Sequence, residues 1–253
     1  VNTREVILRE IGLTPIWTAR RPKDDASPVA PPEARPAARV AAAPPSLPDA
    51  GAAVAAAIPN RPVGERAAAI AQMSWDELTQ SIAGCTACKL CKTRTNTVPG
   101  VGDRAPTWMV IGEAPGENED KRGEPFVGKA GQLLDAMLAA IGRKRGDGVY
   151  IANVIKCRPP GNRDPDAEEV AACAPYLQRQ IALAQPKLLL AAGKFAAQTL
   201  LGRDDSVAAM RSRGGHYESI PVVVTYHPSY LLRSPLEKAK AWDDLMKAQA
   251  LVP

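Results

Sequence analysis

Trp108-Met109-Val110-Ile111-Gly112 is an apolar run that stops at glycine, and Glu113-Ala114-Pro115-Gly116-Glu117-Asn118-Glu119-Asp120 follows as a polar, turn-rich loop. An apolar run without polar alternation reads as a strand buried on both faces. Val149 to Ile155, Lys187 to Ala192 and Pro221 to Tyr226 read the same way. Helical patterns lie between them. Leu133, Leu134, Met137, Leu138 and Ile141 repeat along one helical face from Gly131 to Ile141. Asp164-Pro165 can cap and start a helix running towards Gln185. A short helix reaches Leu201, and a last one covers about Leu236 to Ala250. Strands alternating with helices predict the α/β class, in three α/β/α layers around a central four-stranded, mainly parallel sheet.

In such a sheet ligands bind at the carboxyl ends of the strands. Three of the four strands run into unusual loops: the one after Gly112, Lys156-Cys157-Arg158-Pro159-Pro160-Gly161-Asn162-Arg163, and His227-Pro228-Ser229-Tyr230-Leu231-Leu232-Arg233. An active site is expected where they converge.

Outward from this core, Ser74-Trp75-Asp76-Glu77 fits a capping box and marks the expected start of a folded domain over residues 74–250. Residues 22–65 form a Pro/Ala-rich stretch: Pro22 to Pro62 holds ten of the 24 prolines and no aromatic residue. Such a composition cannot bury enough surface to offset its chain entropy and predicts a disordered tether. Residues 1–21 are a short apolar segment, read either as a docking peptide for a protein partner or as an end that folds back or frays. No export signal and no membrane-length apolar run is present, which predicts a cytoplasmic protein that uses no membrane. The net charge of +5 favours an anionic partner only weakly.

Five cysteines without an export signal argue for a metal site or buried thiols over disulfides. Cys85, Cys88 and Cys91 precede the first strand, Cys157 ends the second, and Cys173 lies in the helix that follows. A CxxC pair plus two separate cysteines can supply four thiolates to zinc or to a [4Fe–4S] cluster. Spacing alone does not choose between them, nor exclude ordinary buried cysteines.

Four motifs in order, Gly112-Glu113-Ala114-Pro115-Gly116, Pro125-Phe126-Val127-Gly128, Asn153-Val154-Ile155-Lys156-Cys157-Arg158-Pro159-Pro160 and His227 to Arg233, resemble the family 4 uracil-DNA glycosylases over about residues 75 to 250. The resemblance implies the uracil-DNA glycosylase fold and a monomeric, monofunctional hydrolase. Such an enzyme releases uracil from single- or double-stranded DNA and leaves an abasic site for base excision repair. It also implies a structural [4Fe–4S] cluster on Cys85, Cys88, Cys157 and Cys173, with Cys91 left over.

The chemistry of the residues agrees with that implication. A base in a duplex must be extruded into a pocket before it can be attacked. Phe126 offers a face for stacking. The Asn153 amide carries one acceptor and one donor, matching uracil N3–H and O4 and mismatching cytosine. Backbone N–H groups of the Gly112, Glu113 and Ala114 loop can donate to uracil O2, where charge develops, and so can His227. Water is the expected nucleophile. Related glycosylase families place an aspartate at the position of Ala114 to orient it; here Glu113 and Glu119 are the nearby carboxylates, and either can serve. Lys156 is the nearest lysine for a Schiff-base reaction, which a monofunctional enzyme does not use. Leu231 or Leu232 can fill the gap left by the flipped base, and Arg158, Arg163 and Arg233 can contact phosphates. His216 reads as structural. The rival readings are a uracil-DNA binding module with little turnover and an iron–sulfur redox protein, but a redox protein has no use for Phe126, Asn153 and His227 at strand ends. A third, the neighbouring glycosylase family with broader substrates, usually lacks the Glu113-type motif.

Overall fold

A computed structural model describes residues 64–252; the N-terminal segment and all but the last two residues of the tether read from the sequence lie outside them. The four expected strands are present: β2 (Trp108–Gly112), β3 (Val149–Asn153), β4 (Leu188–Ala192) and β6 (Ile220–Thr225), all mutually parallel. The sheet nevertheless has six strands, not four. Two short antiparallel strands, β1 (Val101–Gly102) against β3 and β5 (Gly215–Tyr217) against β6, close its edges, in the order β1-β3-β2-β4-β6-β5. Strands of two and three residues are too short to carry a periodic signal, and they form because their neighbours already present an open ladder.

Successive residues of β2 explain why its sequence does not alternate. Met109 and Ile111 join one core with Leu78, Ile82, Leu177 and Leu200, while Trp108 and Val110 join the other with Leu134, Leu138 and Leu245. Helices α1 (Glu65–Ile70), α2 (Trp75–Ala83), α5 (Ala167–Ala184), α6 (Lys194–Leu201) and α7 (Val207–Arg213) supply the first cover, and α4 (Gly128–Ala140) and α9 (Lys238–Leu251) the second. Each strand residue therefore meets a hydrophobic layer whichever way it points. Two further short helices, α3 (Glu117–Arg122) and α8 (Pro228–Arg233), occupy stretches that read as loops.

Two boundaries differ from expectation. The described fold begins with α1, ahead of Ser74, because Ala67 and Ile70 are buried and the Arg66 guanidinium lies over the Tyr176 ring. The Ser74 capping box is formed: Ser74 Oγ accepts from the Glu77 N–H, and Glu77 Oε2 accepts from the Ser74 N–H. Helix α5 starts at Ala167, capped by Asp166 and Glu169, and not at Asp164-Pro165. Asp166 wins because it stands three residues before Glu169, the spacing a capping box needs.

From β2 the chain moves to β3 on one side and then crosses β2 to reach β4 on the other. That reversal opens a crevice at the carboxyl end of β2. Gly112 and Asn153 end β2 and β3, Gly193 directly follows β4, and His227 follows β6 after Tyr226, all at this rim. No helix among the described residues is long and apolar enough to cross a membrane.

Candidate active site

Gly112 is the hub of the rim. A Cβ on it would fall 2.4 Å from Asn153 Oδ1 and 2.6 Å from two ring carbons of Phe126. Only glycine allows the three to meet. The Phe126 ring in turn packs on the His227 imidazole, with centroids 5.3 Å apart and planes 28° apart. Four segments widely spaced in sequence thus bring their expected residues together.

Phe126 has φ +52°, an uncommon backbone for an aromatic residue. Arg145, which sequence reasoning missed, holds it there: its guanidinium donates to the carbonyls of Pro125 and Phe126 (both 2.8 Å) and pairs with Asp135. A basic residue in a loop past α4 carries no signal of a role some twenty residues upstream. Glu119 completes the support, Oε1 accepting from the Val127 N–H at 3.0 Å.

Asn153 is 2% exposed, and its side-chain amide has no hydrogen bond among the described residues, whereas its carbonyl accepts from Lys156 Nζ at 2.6 Å. His227 caps α8. Its Nδ1 accepts from the Ser229 N–H (3.2 Å) and lies 2.7 Å from Ser229 Oγ. An accepting Nδ1 leaves the proton on Nε2. Burial, helped by the Arg233 charge, pulls His227 down to about 4, so at neutral pH it is a neutral imidazole whose Nε2–H has no partner among the described residues. Gly193, with φ +99°, lets β4 end with its Cβ position 3.0 Å from His227 Cβ.

Glu113 and Glu119 separate clearly. Glu119 is committed to the Val127 amide. Burial pushes Glu113 up to about 7, with the Asp164 carboxylate adding to the rise. Ala114, beside it, packs against the larger core.

The outer residues also sort. Leu231 is 1% exposed and belongs to the interior, which removes it as a wedge; Leu232 is 42% exposed. Adjacent positions on a helix point about 100° apart, so one of the pair can face in while the next faces out. Arg163 departs from the phosphate-contact expectation, since both its Nη atoms bond the buried Glu169 (2.9 and 2.6 Å). Arg158 donates to Asn162 Oδ1 at 2.7 Å, and Arg233 is exposed. Lys156 is 1% exposed with its amino group engaged, unsuited to a Schiff base. His216 lies in the edge strand β5.

Behind the rim, Cys85, Cys88, Cys157 and Cys173 line one pocket, partly open to solvent, together with Arg94, Lys156 and Tyr176; Cys91 does not line it. Three of the sulfurs face N–H donors: Cys157 meets Arg94 Nη1 (3.2 Å), Cys173 the Lys156 backbone N–H (3.3 Å) and Cys85 Arg66 Nη2 (3.6 Å). Burial pushes the Cys173 thiol up to about 12. Among the described residues no group of three or more His, Cys, Asp or Glu side chains is arranged to hold a single metal ion. The Asp120 carboxylate, accepting from the Thr95 and Asn96 N–H groups, ties the loop after these cysteines to α3 beside the rim.

A mostly parallel sheet with a glycine-centred switch point places this chain among the open α/β proteins that bind ligands at the carboxyl ends of their strands. Residues 99–246 match the family described as the uracil DNA glycosylase superfamily. The type-4 uracil-DNA glycosylase of Archaeoglobus fulgidus is 44% identical over 182 residues, covering 69% of this chain and 91% of that protein. The type-4 enzyme of Sulfurisphaera tokodaii is 40% identical over 186 residues, covering 70% and 84%. The chain belongs to the type-4 uracil-DNA glycosylases.

Proposed function

We propose that this chain hydrolyses the N-glycosidic bond of deoxyuridine in DNA, releasing uracil and leaving an abasic site, as the opening step of base excision repair. The observation that carries this reading is the convergence of Gly112, Phe126, Asn153 and His227 at one rim of the sheet.

Phe126 and His227 are too close together to admit a ring between them, so the flipped base stacks on the remaining face of Phe126. Asn153 then reads its edge, Oδ1 accepting from N3–H and Nδ2 donating to O4. Cytosine would present a lone pair and an amino group instead, leaving buried groups unpaired. As the glycosidic bond breaks, negative charge grows on the base and reaches O2. The His227 Nε2–H and the backbone N–H groups after Gly112 are donors held in place beforehand, so they need no reorganisation at that moment. Glu113 is the carboxylate we assign to the attacking water, because Glu119 is spent on positioning Phe126. Leu232 fills the vacated stack, and Arg233 with Arg158 contacts phosphates.

Cys85, Cys88, Cys157 and Cys173 are the residues we assign to a [4Fe–4S] cluster. Four thiols lining one pocket, three of them facing N–H donors, suit the thiolate ligation of a cluster. The cluster would supply cross-linking between the segments that carry these cysteines; base removal itself falls to the rim residues.

The test is excision from an oligonucleotide carrying a single uracil, worked up at neutral and alkaline pH in parallel. Strand breakage only after alkali is expected. Breakage at neutral pH would indicate a lyase. No breakage in either, with iron bound and the protein folded, would favour a binding module and sink the proposal.

A further inference from the structure

Lys156 is bonded at both of its ends. Its backbone N–H donates to Cys173 Sγ at 3.3 Å, and its Nζ turns back three residues to the Asn153 carbonyl at 2.6 Å. It is also the immediate neighbour of Cys157, and it is fully enclosed, at 1% exposure. Burying a lysine amino group is costly, and one carbonyl is a modest return for it unless that carbonyl matters. The carbonyl stands where the sheet gives out. Asn153 pairs with Gly112 at the last position of the β2–β3 ladder; beyond it the Val154 and Ile155 N–H groups still donate to the Gly112 and Glu113 carbonyls. The Asn153 carbonyl is held by a side chain instead of a neighbouring strand. Its own side chain meets Gly112, which the Phe126 ring also approaches, at the rim.

From this geometry we propose that Lys156 is a positioning residue that transmits the order of the four-cysteine site to the base-reading amide of Asn153. The inference rests on the assignment of Asn153 as the uracil reader. With Nζ in place, the peptide after Asn153 cannot rotate without breaking a buried hydrogen bond, and the side-chain amide keeps its aim. Without it, the strand end is free to relax while the cysteines, the rim glycine and Phe126 stay where they are. The hydrogen bond does not touch the base, so its loss is felt as misdirection: poorer reading of uracil, with non-specific DNA affinity unchanged.

The test is a double-mutant cycle of Lys156→Met and Asn153→Ala in the full chain, with iron content and visible absorbance checked for each variant. Two readouts are taken: kcat and KM on uracil DNA, and equilibrium affinity for a duplex carrying a 2′-fluorinated deoxyuridine, which resists cleavage, against the same duplex with thymidine. A misplacement of the order of 1 Å costs about 10²-fold, so Lys156→Met, brown and folded, is expected to lose kcat and uracil preference on that scale. In the Asn153→Ala background it should lose almost nothing more, because coupled residues are non-additive. Lys156→Arg, which keeps a donor, should recover part of the loss. Additive losses, or an unchanged uracil preference in Lys156→Met, would overturn the positioning role. An Asn153→Ala enzyme that still prefers uracil would instead overturn the base-reading assignment beneath it. Should Lys156→Met lose iron, Lys156→Gln, whose shorter amide falls short of the carbonyl, takes its place. Loss of iron from both would assign Lys156 to the cysteine site alone and reject the proposal.

Discussion

Replacing Glu113 by glutamine should make the protein more stable and less active, with both effects governed by pH. Burial and the neighbouring Asp164 carboxylate raise Glu113 from 4.5 to about 7. A group with a raised folded-state pKa binds its proton more tightly when folded. Its contribution is fully present below the unfolded value and is lost as pH rises through the folded one. At about 1.4 kcal/mol per pH unit, the window from 4.5 to about 7 corresponds to about 3 kcal/mol. Residual solvent contact reduces that to about 2 kcal/mol. Glu113→Gln never carries the charge, so it should match the parent in urea melts at or below pH 4, under the unfolded value of 4.5, and exceed it by about 2 kcal/mol at pH 9. For a domain of this size that is a gain of roughly 4–8 °C in Tm. In the parent, kcat should rise with pH through about 7 as the carboxylate form appears. In Glu113→Gln that inflection should vanish and kcat should fall by about 10²-fold or more. His227, already neutral, adds no inflection until the pH approaches 4. Equal stability differences at pH 4 and pH 9 would show that Glu113 is not held against its charge. An unaltered kcat profile would remove it from the handling of water.

Asn153→Asp replaces the donor to O4 by a second acceptor, so uracil excision should fall by about 10²-fold or more and discrimination against cytosine should shrink; paired uracil and cytosine oligonucleotides measure both. Leu232→Ala should cost about tenfold on duplex substrate and little on single strands, where no stack needs filling, whereas Leu231→Ala should destabilise the fold by about 2–5 kcal/mol. Cys173→Ser should lose iron and colour and melt at lower temperature; a fully folded variant with full iron content would take Cys173 out of the ligand set.

Much of this protein was legible along the chain. The four central strands are apolar without alternation because each is covered on both faces, and that pattern survives any uncertainty about partners. Motifs that carry their own chemistry, such as Asn153 in a strand and His227 just after one, already point to the rim. The tertiary structure decided what depends on distant neighbours. β1 and β5 exist only because a ladder was open beside them. Leu231 and Leu232 are alike in one dimension, and only the helix that His227 caps turns one inward and the other out. Glu113 and Glu119 are alike too, until Glu119 is found holding the Val127 amide and Glu113 is found half-buried and facing the charge of Asp164. Arg163, basic and in a promising loop, is claimed by Glu169; Arg145, with no motif around it, holds Phe126. Local pattern fixes which faces are buried, because burial follows the period of the backbone. Which polar group is free to act depends on which partners have already taken its neighbours, and those partners come from parts of the chain that meet only in the fold.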